Sequence, residues 1–358
     1  MAKQKILLID NVFAPSKKDR IINGVQKFTK AQREVLSDFY EVHYITMKGS
    51  DLQFENQYIL KNIQDVNLSN LEKRKITDKM TQEIYDHINM IDPDIVLDNS
   101  CKHFTRLFPH YRLGIVFEHY YRPSMPLTPK VKARFTKHKV FWAGVSRWQN
   151  EQFRNYFDGV ASVQMLEQQQ TAHPSEGYGM FVGRWDVGKK PHVMIKRYAK
   201  YVKNIPLHVF TTFKNCYLSD EDLQTVAKLK TNPNITFHID KPRLELEQFM
   251  KKAAFIIGSG NESTGLVSME GASFGVPYIV PGTNFVAEQE HMNPDAIRLL
   301  DRSHGNLGPQ LADAVNELMQ YSFDKRKLIA KDAYLRYNKS QFLLKQLRLI
   351  KQAKDMYG

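Results

Sequence analysis

Apolar residues recur along this chain in short β-branched runs separated by longer segments of helical periodicity. Lys5 to Asp10 (Lys-Ile-Leu-Leu-Ile-Asp) is continuous apolar sequence ending in a polar turn, the pattern of a strand buried on both faces. A helical pattern follows from Val25 to Leu36, then a second strand pattern from Val42 to Thr46. Further strands are predicted at Asp94 to Leu97, Gly114 to Phe117 and Val140 to Val145, with polar or helical sequence between them. This alternation predicts an α/β chain built on doubly wound parallel sheets.

The stretch from Leu166 to Gly179 is polar and rich in turn formers, and a domain boundary is expected there. The alternation restarts with Met180 to Val182, Leu207 to Thr211, Ile235 to Ile239, Phe255 to Ile257 and Tyr278 to Val280. Two similar halves facing across a cleft are therefore expected: residues 1–168, residues 169–335, and a final helix in 336–358. That helix carries Phe342, Leu343, Leu347 and Ile350 on a helical period, with Lys345, Arg348, Lys351 and Lys354 elsewhere. It is expected to pack on its own protein rather than lie on a membrane surface.

At 358 residues the chain is long enough for two domains that each bury a core, and 42% hydrophobic with 25% charged residues is globular composition. No apolar run approaches the roughly 20 residues of a spanning helix, and Met-Ala-Lys-Gln-Lys leads straight into a strand, so a cytoplasmic location is expected. Cys101 and Cys216 are far apart and form no Cys-x-x-Cys, which suggests neither a disulfide framework nor a zinc site. Lys and Arg number 51 against 38 Asp and Glu, a formal +13 that favours a polyanionic partner such as nucleic acid or an anionic membrane surface.

Candidate chemistry concentrates in Asn261 to Pro277, where Glu262 and Glu270 stand in a loop running into a short helix that ends at Gly275. Eight residues of helix is about 800° of rotation, which would point both carboxylates into one cleft. Gly265 would allow close approach to the backbone where amide N–H groups of a helix N-terminus face outward, a place that suits an anion.

This pattern resembles the Glu, seven residues, Glu signature of glycosyltransferase family 4, whose members move a sugar from a nucleotide donor with retention of anomeric configuration. Gly265 and the Gly275-Val276-Pro277 exit match as well. The resemblance implies a fold of two Rossmann-like domains (GT-B) whose last helix crosses back to the first domain, with Glu262 on the transferred sugar and Glu270 on the nucleotide ribose. Phe181-Val182-Gly183-Arg184-Trp185 followed by Lys189 is similar to the family's strand end, so Arg184 and Lys189 are the implied diphosphate ligands. An Arg fork and an ammonium there would stabilise the negative charge of a departing nucleoside diphosphate. The chain departs from the family at Lys190, where the family usually has Gly.

In the first half, Gly24 opens a helix at the position of the family's glycine-rich loop, and His119 matches a family His near the reacting sugar. Leu266 joins the implied donor-binding set beside Gly265. No Gly-x-Gly-x-x-Gly occurs after the first strand, which argues against an NAD enzyme. Asp92-Pro93-Asp94 is read as a turn before a strand, with Pro93 fixing the bend, rather than as a metal motif, and no obligatory metal is predicted. Retention can come from a covalent sugar–enzyme intermediate or from acceptor attack on the same face as the departing diphosphate; the resemblance implies the latter, with the diphosphate's own oxygen accepting the acceptor's proton.

The basic excess is local. Between Lys102 and Arg154 there are 11 Lys and Arg against Glu118 and Glu151, interleaved with 11 aromatic residues. Basic side chains track phosphates and exposed aromatics stack on extruded bases, so double-stranded DNA is an expected partner, with Arg122 and Arg147 as contacts. A closer similarity is to the phage DNA α-glucosyltransferases of the T-even type, carried by Gly24 to Phe28, Gln32-Arg33, Asp94-Ile95-Val96, Asn99-Ser100, His119, Ser124, Ser146, Gly183-Arg184 with Lys189, Glu270-Gly271-Ala272 and Pro277. It implies a UDP-sugar donor, glucose or arabinose, and 5-hydroxymethylcytosine in phage DNA as acceptor, acted on in the host cytoplasm. The alternatives are a bacterial surface-polysaccharide or lipid-linked glycosyltransferase, and a non-catalytic nucleic-acid or carbohydrate-binding protein.

Overall fold

The computed structural model describes residues 2–10, 24–47, 50, 54–61, 78–100, 104–119, 128–153, 156–161, 165–185, 190–213, 218–259, 265–282, 293–303 and 305–358. It divides into two compact units, one of Met1–Met165 with Lys339–Gly358, the other of Leu166–Asn338.

The first unit is built on a seven-stranded sheet of β1 (Lys5–Ile9), β2 (Glu41–Met47), β3 (Gln57–Leu60), β4 (Ile95–Asp98), β5 (Gly114–Glu118), β6 (Val140–Gly144) and β7 (Gly159–Val160) in the order β3-β2-β1-β4-β5-β6-β7. Every pairing is parallel. The continuous apolar runs have a direct cause in this arrangement, because a parallel strand is covered on both faces. Ile6 and Leu8 pack with Phe28, Ala31 and Val35 of α1 (Gly24–Leu36) and with Phe342, Leu349, Ile350 and Ala353 of the last helix, α11 (Lys339–Tyr357). Leu7 and Ile9 face the other way, among Met80, Ile84, Ile88 and Ile91 of α2 (Asp78–Ile91), with Phe108, Phe135 and Trp142 in the same cluster. Phe135 comes from α3 (Pro129–Lys137) and its ring stacks on Trp142 with centroids 4.5 Å apart. The final helix thus belongs to the first unit's core, and its apolar stripe is spent on that unit's α1 and sheet.

The second unit repeats the plan with six parallel strands: β8 (Gly179–Val182), β9 (Leu207–Thr211), β10 (Ile235–Ile239), β11 (Phe255–Ile257), β12 (Tyr278–Pro281) and β13 (Ile297–Leu300), ordered β10-β9-β8-β11-β12-β13. One face is covered by α5 (Pro191–Tyr201), α6 (Asp220–Lys230) and α9 (Leu307–Met319) through Met194, Ile195, Tyr198, Leu229, Leu311 and Val315. The other is covered by α7 (Arg243–Lys252), α8 (Leu266–Ser273) and α10 (Phe323–Tyr337) through Met250, Met269, Ala272, Ile329 and Ala333. The polar stretch that opens this unit is anchored: Leu166 N donates to Tyr337 O at 2.7 Å, Glu176 N to Lys252 O at 2.9 Å, and Arg326 Nε to His173 O at 2.9 Å.

Counted from its own first strand, the second sheet runs 3-2-1-4-5-6, the doubly wound Rossmann order, and the first runs the same order with a seventh strand beside the sixth. Crossovers diverge between strands 1 and 4, so each unit opens a crevice beyond the carboxyl ends of those strands. In the first unit these ends are Asp10 after β1 and Asn99 after β4. In the second they are Gly183-Arg184 after β8 and Gly258 after β11.

Candidate functional site

His119 directly follows β5, on the carboxyl edge of the first sheet, and is 9% exposed. Its ring is held edge-on by Phe28 at 5.4 Å and beside Phe117 at 6.1 Å between centroids. Its Nε2 lies 3.1 Å from Asn99 Oδ1. Asn99 Nδ2 donates to Gln32 Oε1 at 2.8 Å, and Gln32 Nε2 donates to Gln346 Oε1 at 3.0 Å. All three amides are buried, so this is a continuous polar chain through the apolar layer between sheet, α1 and α11. At the neighbouring strand end, Tyr44 Oη donates to Asp10 Oδ2 at 2.6 Å.

On β6 the chain turns into α4 (Arg147–Gln152), capped by Ser146 Oγ accepting from Gln149 N at 3.1 Å. Gln149 ties this turn to β5 by donating from Nε2 to Glu118 O at 3.1 Å. Arg147 is exposed at the first helical position, on the same sheet edge as His119. Gly24 opens α1, and Arg122 lies outside the described residues.

In the second unit, β8 and β11 are hydrogen-bonded neighbours with Phe181 opposite Ile257. Arg184, exposed, and the segment leading to Gly265 therefore leave adjacent strands at the same edge. Gly265 is the N-cap of α8 at φ 55° and ψ 41°, the left-handed region that glycine enters without strain. Its carbonyl accepts from Ser268 N at 3.1 Å, Met269 N at 3.2 Å and Ser268 Oγ at 2.6 Å, which fixes the first turn with Leu266 at its start. Glu270 sits one turn further, and Arg243 Nη1 from the start of α7 donates to its Oε2 at 3.1 Å. Arg243 also donates from Nε to Glu247 Oε1 at 2.7 Å. Burial opposes the charge on Arg243, but the two carboxylates outweigh it and hold the guanidinium above its ordinary value.

One expectation needs correction. The helix that carries Glu270, α8, begins only at Leu266 behind a left-handed N-cap, so it does not supply the eight residues of helical rotation expected between the two carboxylates. Glu262 and Lys189 lie outside the described residues. Lys190, which departs from the family pattern, is the N-cap of α5 in the left-handed region at φ 45° and ψ 51°, ahead of Pro191.

The interleaved aromatics from Phe104 to Phe153 are chiefly core. Phe104, Phe108, Tyr111, Phe117, Phe135, Phe141 and Trp142 are all buried, because the segment supplies two central strands and a covering helix. Several of its basic groups are engaged in ion pairs, Arg106 with Asp78 and Lys132 with Asp158. Arg112 Nη2 donates to Asp92 Oδ1 at 2.7 Å and Nη1 to Asp94 Oδ1 at 3.4 Å. Asp92 adopts φ 51°, and Asp94 Oδ2 accepts from Lys5 N at 2.8 Å at the amino edge of the sheet, opposite His119. Asp92-Pro93-Asp94 is thus a clamped turn. Among the described residues no three His, Cys, Asp or Glu side chains are grouped to hold a metal ion.

Of these groups, sequence reasoning had assigned no role to Asn99, Gln32, Gln346 or Arg243. Gln346 carried a readable signal: it interrupts the buried stripe of Phe342, Leu349, Ile350 and Ala353 with an uncharged polar group.

No family model matches the chain, and no curated protein matches it. Solved structures do. AviGT4, a glycosyltransferase involved in avilamycin A biosynthesis, aligns over 99% of this chain and 98% of its own with TM-score 0.65 and 14% identity. Sucrose-phosphate synthase from Thermosynechococcus elongatus aligns over 99% and 100% with TM-score 0.74 and 13% identity. Anabaena Alr3699/HepE in complex with UDP aligns over 97% and 100% with TM-score 0.70 and 12% identity. At such identity the likeness shows the fold: an α/β chain of two Rossmann-like units, the GT-B fold of these glycosyltransferases.

Proposed function

We propose that this protein is a retaining glycosyltransferase that takes a sugar from a UDP-sugar, glucose or arabinose, and transfers it to a hydroxyl acceptor. The observation that carries this reading is the second unit's crevice edge, where Arg184 and the Gly265 turn into α8 leave adjacent strands and Glu270 is fixed by Arg243 one turn beyond. That is a cationic strand end beside open helix amides, an arrangement suited to a nucleoside diphosphate, with a carboxylate available to ribose hydroxyls. The fold is also that of HepE, whose structures contain UDP or UDP-glucose.

In this reading residues 169–335 bind the donor through Arg184, Lys189, Gly265, Leu266 and Glu270. Glu262 and His119 act at the sugar, and residues 1–168 take the acceptor. The bond from the anomeric carbon to the diphosphate breaks, the acceptor oxygen bonds to that carbon on the same face, and its proton passes to the departing diphosphate oxygen. Arg184 and Lys189 stabilise the charge on that leaving group.

For the acceptor we propose 5-hydroxymethylcytosine in duplex DNA, contacted through Arg122 and Arg147. The formal charge of +13 and the exposed Arg147 on the His119 edge support it. The test supplies labelled UDP-glucose and UDP-arabinose with hydroxymethylcytosine DNA, unmodified DNA or lipid-linked saccharide. Label in the modified DNA alone is expected. Label only in lipid removes the DNA acceptor, and no label with any acceptor removes the transferase reading.

A further inference from the structure

Residues 119–150 contain seven Lys and Arg and no Asp or Glu, although the whole chain carries 38 acidic residues. Much of this stretch is α3, whose start is closed by Thr128: its Oγ1 accepts from Val131 N at 3.3 Å, and Pro129 takes the first helical position. The helix spends its apolar residues Phe135 and Val131 on the core around Phe108 and Trp142. Lys132 is half-buried as well, donating from Nζ to Tyr156 O at 2.9 Å and pairing with Asp158. What remains outside is cationic. Lys130, Arg134, Lys137 and, just past the C-cap, Lys139 are all exposed.

Lys130 and Arg134 stand four residues apart and Arg134 and Lys137 three, so these like charges are neighbours along one helical face and repel. Helices elsewhere in the fold seat cations beside carboxylates, as in Lys327 with Asp324, Arg336 with Asp332 and Lys351 with Asp355. On α3 the exposed row has none: Arg134 Nη2 donates to Thr105 O at 2.9 Å, and among the described residues no carboxylate pairs with Lys130, Arg134, Lys137 or Lys139. The field of the row is felt by His138, the C-cap. Burial lowers that ring below the ordinary histidine value, and Lys137 and Arg134 lower it further with no acidic group opposing them. Lys139 extends the row at φ 54°, a left-handed position after the cap where glycine is usual.

We propose that the exposed face of α3 is a docking surface for the phosphate backbone of duplex DNA, with Lys130, Arg134, Lys137 and Lys139 as phosphate contacts. Duplex DNA presents one negative charge per about 1.7 Å of axis, and the turns from Lys130 to Lys137 span about 10 Å, so the row meets several phosphates at once and its self-repulsion is relieved. A lipid surface fits this face less well. A helix lying in a membrane interface buries large apolar residues, whereas outside the row α3 exposes only Pro129, Ala133 and Thr136. The crossover from β5 to β6 carries α3 from the carboxyl edge of the sheet back to its amino edge, so the row starts on the His119 edge and leads away from it. It therefore holds duplex that flanks the acceptor base, and in this it rests on the DNA acceptor reading; contacts to phosphate position the duplex without reading its sequence.

The experiment measures binding of the full chain to a short unmodified duplex, without UDP-sugar, over a range of salt concentrations. In Lys130→Gln/Arg134→Gln/Lys137→Gln the slope of log affinity against log salt is expected to shrink by about 2–3, at about 0.9 per phosphate contact, and Kd to rise at least about tenfold. Lys203→Gln/Lys228→Gln/Lys230→Gln removes the same charge from exposed lysines of the second unit and is expected to change the slope by less than about 1. In the wild type the His138 titration, assigned by its loss in His138→Gln, is expected to move to higher pH when duplex is bound, because phosphates offset Lys137 and Arg134. An unchanged slope in the α3 variant, an equal change in both triple variants, a His138 titration that duplex leaves in place, or a wild type that does not bind duplex overturns the proposal.

Vesicles of phosphatidylglycerol and phosphatidylcholine are the lipid probe. Vesicle binding that the α3 variant loses while its duplex slope stays intact gives the face to a lipid surface and overturns the DNA occupant. Labelling of hydroxymethylcytosine DNA from UDP-glucose is scored separately. Transfer with an unchanged α3 slope removes this surface and leaves the acceptor reading standing; a reduced slope without transfer does the reverse.

Discussion

Arg243 Nη1 donates to Glu270 Oε2 across 3.1 Å, joining the first turn of α7 to the second turn of α8. The carboxylate assigned to the ribose is therefore fixed before any ligand arrives, which lowers the ordering cost of binding. Glu270 is 12% exposed at its side chain and Arg243 28%. Removing one charge from so sheltered a pair costs more than removing both. Arg243→Met is expected to destabilise the protein by about 2–3 kcal/mol, with Arg243→Met/Glu270→Gln recovering at least half of it. Urea unfolding of the two single variants and the double variant measures this. Equal losses in Arg243→Met and the double variant would exclude coupling between the two side chains.

Gly275 closes α8 at φ 76°, and a Cβ placed on it would stand 2.4 Å from the Arg326 carbonyl oxygen. The obstacle is rigid. Arg326 is 1% exposed and its guanidinium donates to the carbonyls of His173 at 2.9 Å and Ala253 at 2.8 Å, near the end of α7. Burial pushes Arg326 down to about 10, with Tyr178 opposing the shift, and the guanidinium is solvated by backbone carbonyls. Gly275→Ala thus combines a left-handed backbone with a clash against main chain, and a loss of at least about 3 kcal/mol is expected by denaturant unfolding. A loss under about 1 kcal/mol would mean that the turn relaxes freely.

The central strands were legible because a strand buried on both faces must be apolar throughout; Leu207–Thr211 and Phe255–Ile257 occur with the bounds that periodicity gives. Of the edge strands only Ile235–Ile239 was legible. Gln57–Leu60 has one buried residue in four and Gly159–Val160 is two residues long, too little for an apolar run. At the site, single residues such as His119 and Glu270 stood out by type and spacing. Their pairing with Gln32, Asn99, Gln346 and Arg243 did not, because these residues meet them only through tertiary packing across 20 to 314 residues of sequence. The aromatic count between Phe104 and Phe153 could be read either way, because composition does not separate a stacking surface from a core; Phe117, Phe141 and Trp142 lie in β5 and β6, which are buried on both faces.

Lys190 occupies the left-handed region at φ 45° where the resembled family usually carries glycine, so the backbone requirement persists although the residue has changed. A side chain with a Cβ is strained there, and Lys190→Gly is expected to raise stability by up to about 1 kcal/mol in thermal or urea unfolding. Lys189→Ala is expected to cut turnover of UDP-glucose at least about a hundredfold through loss of leaving-group stabilisation. If Lys190→Gly lost the larger share of turnover, the diphosphate role would pass from Lys189 to Lys190.

His208 and His238 form a half-buried pair on β9 and β10, with Nδ1 of the first 2.9 Å from Nε2 of the second. Phe210 stacks on His238 at 4.2 Å between ring centroids, Phe249 lies 4.9 Å from His208 and 4.8 Å from His238, and Tyr178 lies 4.8 Å from His208. Burial lowers both rings below the ordinary histidine value; for His208 the neighbouring His238 adds to this, and for His238 the carboxylate of Glu245 partly offsets it while Lys241 reinforces it. The unfolded chain, with histidine near about 6.5, then binds protons more readily than the folded one. The pair's contribution is accordingly complete above that pH and is lost as pH falls from there through the folded values. One neutral ring must donate to the other, and protonating both would set two donors face to face. Unfolding free energy is expected to decline between about pH 7 and pH 5. In His208→Gln/His238→Phe that decline is expected to flatten, while His43→Gln, a control at a histidine elsewhere in the fold, keeps it. A decline of equal slope in the double variant would assign the pH dependence to groups outside this pair.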